Sequence, residues 1–333
     1  MNESECGSEL RSRSCLVEAS PPASRHGITR RAVLGAVAGA ALASGAPRRA
    51  FTQYAGTSLE RTELGDGLHW IAGAGANVLV TETPNALLLV DGGLPDRSAR
   101  LRALVAERWP DRRVDVLFNT NWREEHTGSN EALGAAGTRI MAHENTKLWL
   151  GGDFFVEWES RRYRPRPAAA LPVATFYASG SLDLGGRRVD YLHLPRAHTD
   201  GDVAVFLPDA NVLAASDLVA VGSYPVLDYV TGGWIGGLEA ATKSLLATVD
   251  SSTRILPAMG PICSCAELEA QLELCTAVRE RVAEGLSRGM SFAEFVESKP
   301  TREFDAARGR PDAFLTQVYE GAWYHVRELG GII

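Results

Sequence analysis

Apolar and polar positions change their period several times along this chain, and each change marks an element. From residue 64 the pattern reads as strand. Residues 68–72, 77–82 and 87–90 are short Val/Leu/Ile-rich runs bounded by turn residues. Thr83-Pro84-Asn85-Ala86 separates the last two and predicts a hairpin. Asp91-Gly92-Gly93 then leads into a helix predicted over 96–108. A short apolar strand follows at 114–118, a polar turn at 119–125, and a helix predicted over 126–136. Further on, 138–143 reads as strand and 144–150 as helix, and strands flank Gly185-Gly186 between 181 and 194. Another strand runs over 211–219, and a helix lies within 234–249. A long amphipathic helix spans 266–285, with Leu268, Leu272, Leu274, Ala277, Val278 and Val282 on or near one face. Terminal helices are predicted over 291–297 and 311–329. Residues 151–175 fit no period and read as an irregular insertion.

A strand that ends in a turn rich in Asn, Arg, Glu and His is where α/β proteins place their chemistry, because the strand fixes the backbone and the turn presents side chains at the sheet's carboxyl end. The stretch Asn119-Thr120-Asn121-Trp122-Arg123-Glu124-Glu125-His126 is such a turn, and the chain is organised around it.

Composition narrows the class. The 333 residues are 45% hydrophobic and 23% charged, with a formal net charge of −7, which is a globular composition long enough for a layered core. No Lys/Arg run marks a nucleic-acid face. Five cysteines, Cys6, Cys15, Cys263, Cys265 and Cys275, form neither a disulfide framework nor the C-x-x-C pairs of structural zinc, and read as free thiols. At the start, Thr29-Arg30-Arg31 precedes an Ala/Gly-rich apolar run that is too short to span a membrane. Residues 1–46 are therefore expected to be a twin-arginine-type export signal, which implies a periplasmic or secreted protein with no membrane attachment once the signal is removed. No repeat or low-complexity tract follows, so 47–333 is expected to be one domain.

The motifs resemble those of the metallo-β-lactamase superfamily, binuclear-zinc hydrolases, over about residues 60–330. The family reads Asn-Thr-His-x-His-x-Asp-His-Thr-Gly-Gly-Asn where this chain has Asn119 to Asn130. Asn121 and Arg123 stand for the first two histidines, Glu125 for the aspartate, and His126 is retained. Asp91-Gly92-Gly93 matches a family turn whose aspartate supports the ligands without touching metal; without the resemblance, Asp91 reads equally as a turn cap. His198, in Ala197-His198-Thr199-Asp200-Gly201-Asp202, matches a metal histidine. Asp217, after Ser216 in place of glycine, matches the aspartate that bridges the two metals. Pro257-Ala258-Met259-Gly260-Pro261 matches Pro-Gly-His-Gly-Pro, with Met259 at the last metal histidine. His143, alone at a strand end, reads as structural. The resemblance implies an αββα sandwich, two mixed β-sheets flanked by helices.

The substitutions bear on the chemistry. Arginine stays protonated and has no lone pair to give a metal, and a thioether is a poor zinc ligand. Two outcomes stay open for the retained donors: one zinc or other divalent ion on His126, His198 and Asp217, or no metal. Arg123 is expected to supply fixed positive charge in a metal's place, paired with Asp217 or Glu125. Asn121, Arg123, Glu124 and Met259 are expected to line the pocket. The resemblance implies a hydrolase for an amide, lactam or ester bond, with Glu125, His126 and Asp217 as catalytic candidates. The alternative is a non-catalytic relative that binds a ligand or partner through the former pocket. A third reading is metal-free chemistry with Glu124 or Glu125 as base and Arg123 as oxyanion clamp. All are small-molecule or partner readings, and oligomeric state is not legible. The aromatic and Arg-rich insertion is expected either to wall the pocket or to be pinned to the body.

Overall fold

The structure, a computed structural model, describes residues 58–329. The expected export signal, with Cys6 and Cys15, lies outside the described residues. Two sheets carry the core. The first has β1 (Glu60–Gly65), β2 (Leu68–Ala72), β3 (Val78–Glu82), β4 (Leu87–Val90), β5 (Val116–Phe118), β6 (Arg139–His143) and β9 (Ala174–Phe176), in that order across the sheet. Its first four strands are antiparallel, and β4, β5, β6 and β9 run parallel. The second sheet is β10 (Gly180–Leu184), β11 (Arg187–His193), β12 (Val203–Leu207), β13 (Val212–Ser216) and β14 (Arg254–Pro257), with only the β13–β14 pair parallel.

The period of two decides which face each side chain takes. Leu79, Leu88, Val90, Val116 and Phe118 of the first sheet meet Val189, Val205, Leu207, Val212 and Leu256 of the second in one buried cluster between the sheets. The alternate positions Val78, Val80, Leu87, Leu89 and Leu117 face the other way, onto Leu101 and Val105 of α1 (Ser98–Arg108). On the far side, Leu213, Ala215 and Ile255 pack under α5 (Ile235–Leu246), α6 (Cys265–Ser287) and α9 (Asp312–Leu329). Helices therefore cover the outer face of each sheet, as the resemblance implies. Strands buried on both faces read as continuous apolar runs, which is why β4 is Leu-Leu-Leu-Val. No helix among the described residues is long and apolar enough to cross a membrane.

Two predicted elements differ. The helix expected over 126–136 forms as two short ones, α2 (Glu124–Thr127) and α3 (Asn130–Ala135). The break follows from backbone bonds taken elsewhere. The His126 carbonyl accepts Gly92 N–H at 2.6 Å, and Gly128 N–H donates to Gly93 O at 2.8 Å. A Cβ at Gly128 would collide with the backbone of Gly93, Leu94 and Pro95, so only glycine permits that approach. The insertion is ordered: it follows α4 (Glu144–Gly151) and folds into a hairpin of β7 (Phe154–Val156) and β8 (Arg161–Tyr163), before β9 joins the first sheet. Trp122, Leu150, Val156 and Tyr163 form a small buried cluster beneath it. Two helices complete the C-terminal part, α7 (Phe292–Glu297), as expected, and α8 (Asp305–Arg308), which the periodicity did not separate. Cys265 and Cys275 share α6, and Cys263, Cys265 and Cys275 are free thiols.

Leu213 is fully buried in β13, whose carboxyl end carries Ser216 and Asp217. Leu213→Ala is expected to cost about 3 kcal/mol in urea unfolding, from lost burial plus a cavity; a change below about 1 kcal/mol would show that the site end of β13 is not held by this packing.

Candidate functional site

The site lies where the carboxyl ends of β4, β5, β13 and β14 converge with the loop between β11 and β12. The turn after β5 is held from both ends. Asn119 and Asn130 exchange side-chain amide hydrogen bonds at 2.8 and 3.0 Å, closing the loop on itself. Asp91, just past β4, accepts Thr120 N–H at 2.9 Å, and the Thr120 hydroxyl lies 2.8 Å from its other oxygen. Asp91 and Ser216 both take left-handed backbone angles, φ 68° and 52°, at the ends of their strands. Such strain outside glycine is held only by its surroundings. Here the Ser216 hydroxyl lies 2.8 Å from that of Thr120 and 3.3 Å from Asp91 Oδ2.

These supports converge on His126, which is fully buried. Its Nδ1 donates to Asp91 Oδ2 at 2.8 Å, and its Nε2 stands 2.7 Å from Asp217 Oδ2, close but not aligned as a hydrogen bond. Asp91 therefore does more than cap a turn: it grips the histidine. Burial works against an imidazolium, but Asp91 and then Asp217 outweigh it and hold the His126 pKa well above its ordinary value. Burial likewise works against the Asp217 carboxylate, and His126, followed by the Asn121 amide, opposes it and holds that pKa well below the usual range. Asn121 Nδ2 donates to Asp217 Oδ2 at 2.8 Å.

Arg123 makes a second, separate centre. It is 2% exposed. Its guanidinium pairs with Glu159, lies 3.4 Å from Asp228 and 3.6 Å from Glu125, and does not reach Asp217. Of the two partners expected from the sequence, only Glu125 is met. The rings of Trp122, Trp158 and Tyr163 stand 5.0, 5.3 and 5.9 Å from its central carbon, in cation–π range. Burial disfavours the charge, yet Glu125 and Asp228 lead the groups that raise the Arg123 pKa well above its usual value. Sequence reasoning missed Glu159 and Asp228. Glu159 carried a faint signal, an acid within the aromatic insertion; Asp228 carried none.

The insertion is pinned to the body and does not wall the pocket. Glu159, Trp158 and Tyr163 hold Arg123, while Arg161 and Arg166 each reach Glu124 at 2.6 Å. Glu124 is thereby turned to the insertion. The cleft itself, about 520 Å³, is lined by Arg123, Glu125, His198, Asp217, Met259 and the 219–226 segment. His198 is set there by Asp202, which accepts its backbone N–H at 2.6 Å and the Thr199 N–H and hydroxyl at 2.8 and 2.7 Å. Burial pushes the Asp202 pKa up to about 7. His198 Nδ1 donates to Val226 O at 2.8 Å, and Nε2, 3.6 Å from Asp217 Oδ2, has no hydrogen-bond partner. His143 stacks on His193 at 3.7 Å and accepts Asn145 N–H to cap α4, a structural role.

The donor set does not fit two zinc ions. Asn121 spends its amide on Asp217, Arg123 has no lone pair, and Met259 offers only a thioether. A single ion on His126, His198 and Asp217 meets a closed contact: two ligands on one tetrahedral zinc stand about 3.3 Å apart, whereas His126 Nε2 and Asp217 Oδ2 touch at 2.7 Å. Among the described residues, no group of three or more His, Cys, Asp and Glu side chains is placed to hold a metal ion.

Comparison with known proteins identifies relatives. The model of the metallo-beta-lactamase superfamily matches residues 71–258. A metallo-beta-lactamase type 2 from Bacillus cereus is 23% identical over 188 residues, 56% of this chain and 68% of its own length. A second protein of that name, from Bacillus sp. (strain 170), is 22% identical over 188 residues, 56% of this chain and 67% of its own. The solved structure of a metallo-beta-lactamase from Pontibacter korlensis superposes with a TM-score of 0.54 at 19% identity, covering 66% of this chain and 99% of that one. At that identity the structural likeness establishes the fold.

Two outcomes test the charge centres. Arg123→Met leaves Glu125, Glu159 and Asp228 without their cation, and is expected to cost about 3–5 kcal/mol in urea unfolding at neutral pH. A loss below about 1 kcal/mol would contradict the pairing. For His126, a folded pKa above the unfolded 6.5 stabilises the fold fully below 6.5 and ceases to do so as pH rises through the folded value. The stability advantage of the native chain over His126→Gln should therefore fall toward alkaline pH, and an advantage that grows with pH would reverse the assignment.

Proposed function

This chain belongs to the metallo-β-lactamase superfamily, a family of hydrolases, and we propose that it uses the cleft over Asp217 and His198 to bind a small molecule without the family's two-zinc hydrolysis. The observation that carries the proposal is Arg123. A guanidinium stands at a metal-histidine position, compensated by three carboxylates and enclosed by three rings. Such a group is part of the buried framework and does not yield its place to a cation. Asn121 and Met259 support the same reading, since each replaces a strong donor by a weak one or none. Both ring nitrogens of His126 already face a carboxyl group, Nδ1 at 2.8 Å from Asp91 and Nε2 at 2.7 Å from Asp217.

A second reading, hydrolysis without metal, is favoured by one observation. His198 Nε2 is unpartnered in the cleft. With Nδ1 donating to a carbonyl, neutral His198 carries its lone pair on Nε2 and can take a proton from water, as can Glu125. The Val226 carbonyl orients the His198 ring through Nδ1. Two guanidinium nitrogens of Arg123 donate to Asp228 and Glu159, and the third, Nε, is buried 3.6 Å from Glu125 without a hydrogen bond, so the charge an oxyanion clamp would use is already offset by carboxylates.

Mass-spectrometric metal analysis of the full chain, with a hydrolysis panel of lactams, thioesters and lactones, tests the proposal. The expected outcome is well under one zinc per chain and no turnover. Arg123→His is expected to raise zinc content, and Arg123→Met is not. Two zinc ions per native chain together with lactam turnover would sink the proposal, and turnover by metal-free protein would favour the second reading.

A further inference from the structure

The cleft presents acceptors and hides its donors. Every contact to Asp217 falls on Oδ2, from Asn121, His126 and His198, which leaves Oδ1 for a ligand. His198 is 2% exposed and aims an unpartnered Nε2 into the same space. Because Nδ1 donates to the Val226 carbonyl, which can only accept, Nε2 of the neutral ring is an acceptor. Glu125 adds a second carboxylate. The one cationic side chain in the lining, Arg123, is spent on Glu125, Glu159 and Asp228. Arg308 is engaged with the 219–226 segment instead, donating to Ala220 O and Ser223 O.

The cleft lining has the same character: two acidic side chains, Glu125 and Asp217, stand in it against the single guanidinium of Arg123. The wall facing these acceptors is largely apolar, from Val221, Tyr224, Pro225, Val226 and Met259.

We propose that this cleft binds a ligand headed by a protonated primary amine, its three N–H groups on Asp217 Oδ1, His198 Nε2 and Glu125, with an apolar body along Val221, Tyr224 and Met259. The inference rests on the small-molecule reading of the cleft and names its ligand class. An ammonium supplies the donors that three acceptors require, and a quaternary ammonium does not. A carboxylate-bearing ligand meets the same field with the wrong sign. The cleft volume of about 520 Å³ suits a ligand of drug-like size.

Calorimetric titration of the full chain at neutral pH tests this with four probes of one shape: phenylbutylamine, trimethyl(phenylbutyl)ammonium, phenylbutanol and phenylbutyrate. The amine is expected to bind at least about tenfold more tightly than each of the others. Asp217→Asn and Glu125→Gln are each expected to weaken the amine by about tenfold and leave the alcohol unchanged. Equal binding of amine and alcohol, tighter binding of the carboxylate, or no amine binding overturns the inference. So does an amine affinity that Asp217→Asn leaves intact. If a variant fails to fold, the four probes on the native chain decide alone. Zinc content of the same preparation is read separately, so an amine that does not bind removes this ligand class while the metal result judges the broader reading.

Discussion

The line Asp91–His126–Asp217 is the contact on which the rest of the site depends. Its ends belong to different sheets, Asp91 past β4 and Asp217 past β13, and its middle belongs to α2. Acid, imidazole and acid alternate along it, and the two acids favour the protonated ring against its burial. Any one of them buried alone would cost several kcal/mol, so each makes the others tenable. Both sheets must therefore bring their carboxyl ends to one place, and the strained backbones at Asp91 and Ser216 are part of doing so.

Arg123 solves the same problem by a different route. Its three carboxylates come from three stretches: α2, the insertion and the segment before α5. The aromatic rings around it exclude water and strengthen every pairing inside. One centre lies between the insertion and the cleft, which it meets through Arg123 and Glu125, and the other opens on the cleft through Asp217. The division explains why the insertion is ordered although its sequence has no period: its order comes from what it encloses, and the backbone pattern alone carries no trace of that.

The fold was largely legible. Apolar runs bounded by turn residues placed β2, β3 and β4, and α6 was legible from its apolar face, because a helix's buried face repeats with its geometry. Asp91, His126, His198 and Asp217 were given by the resemblance of their motifs to the family's, and the structure brings all four together. What escaped was long-range. Glu159 and Asp228 lie 36 and 105 residues from Arg123, and no local pattern links them to it. Glu124 was legible as an acid near the site, but its direction was set by Arg161 and Arg166, which only the folded insertion positions. The break between α2 and α3 was hidden for a similar reason, since the competing bonds come from Gly92 and Gly93.

The enclosure of Arg123 also couples positions that are far apart in the chain. Glu159, Trp158 and Tyr163 all reside on the insertion and all meet the guanidinium. Exchanging Arg123 for histidine would strand three acids and loosen a hairpin at once, while Asn121 and Met259 still withhold their donors. No single substitution therefore rebuilds a two-metal donor set here: the positions are interlocked, and only a concerted change of several would move them.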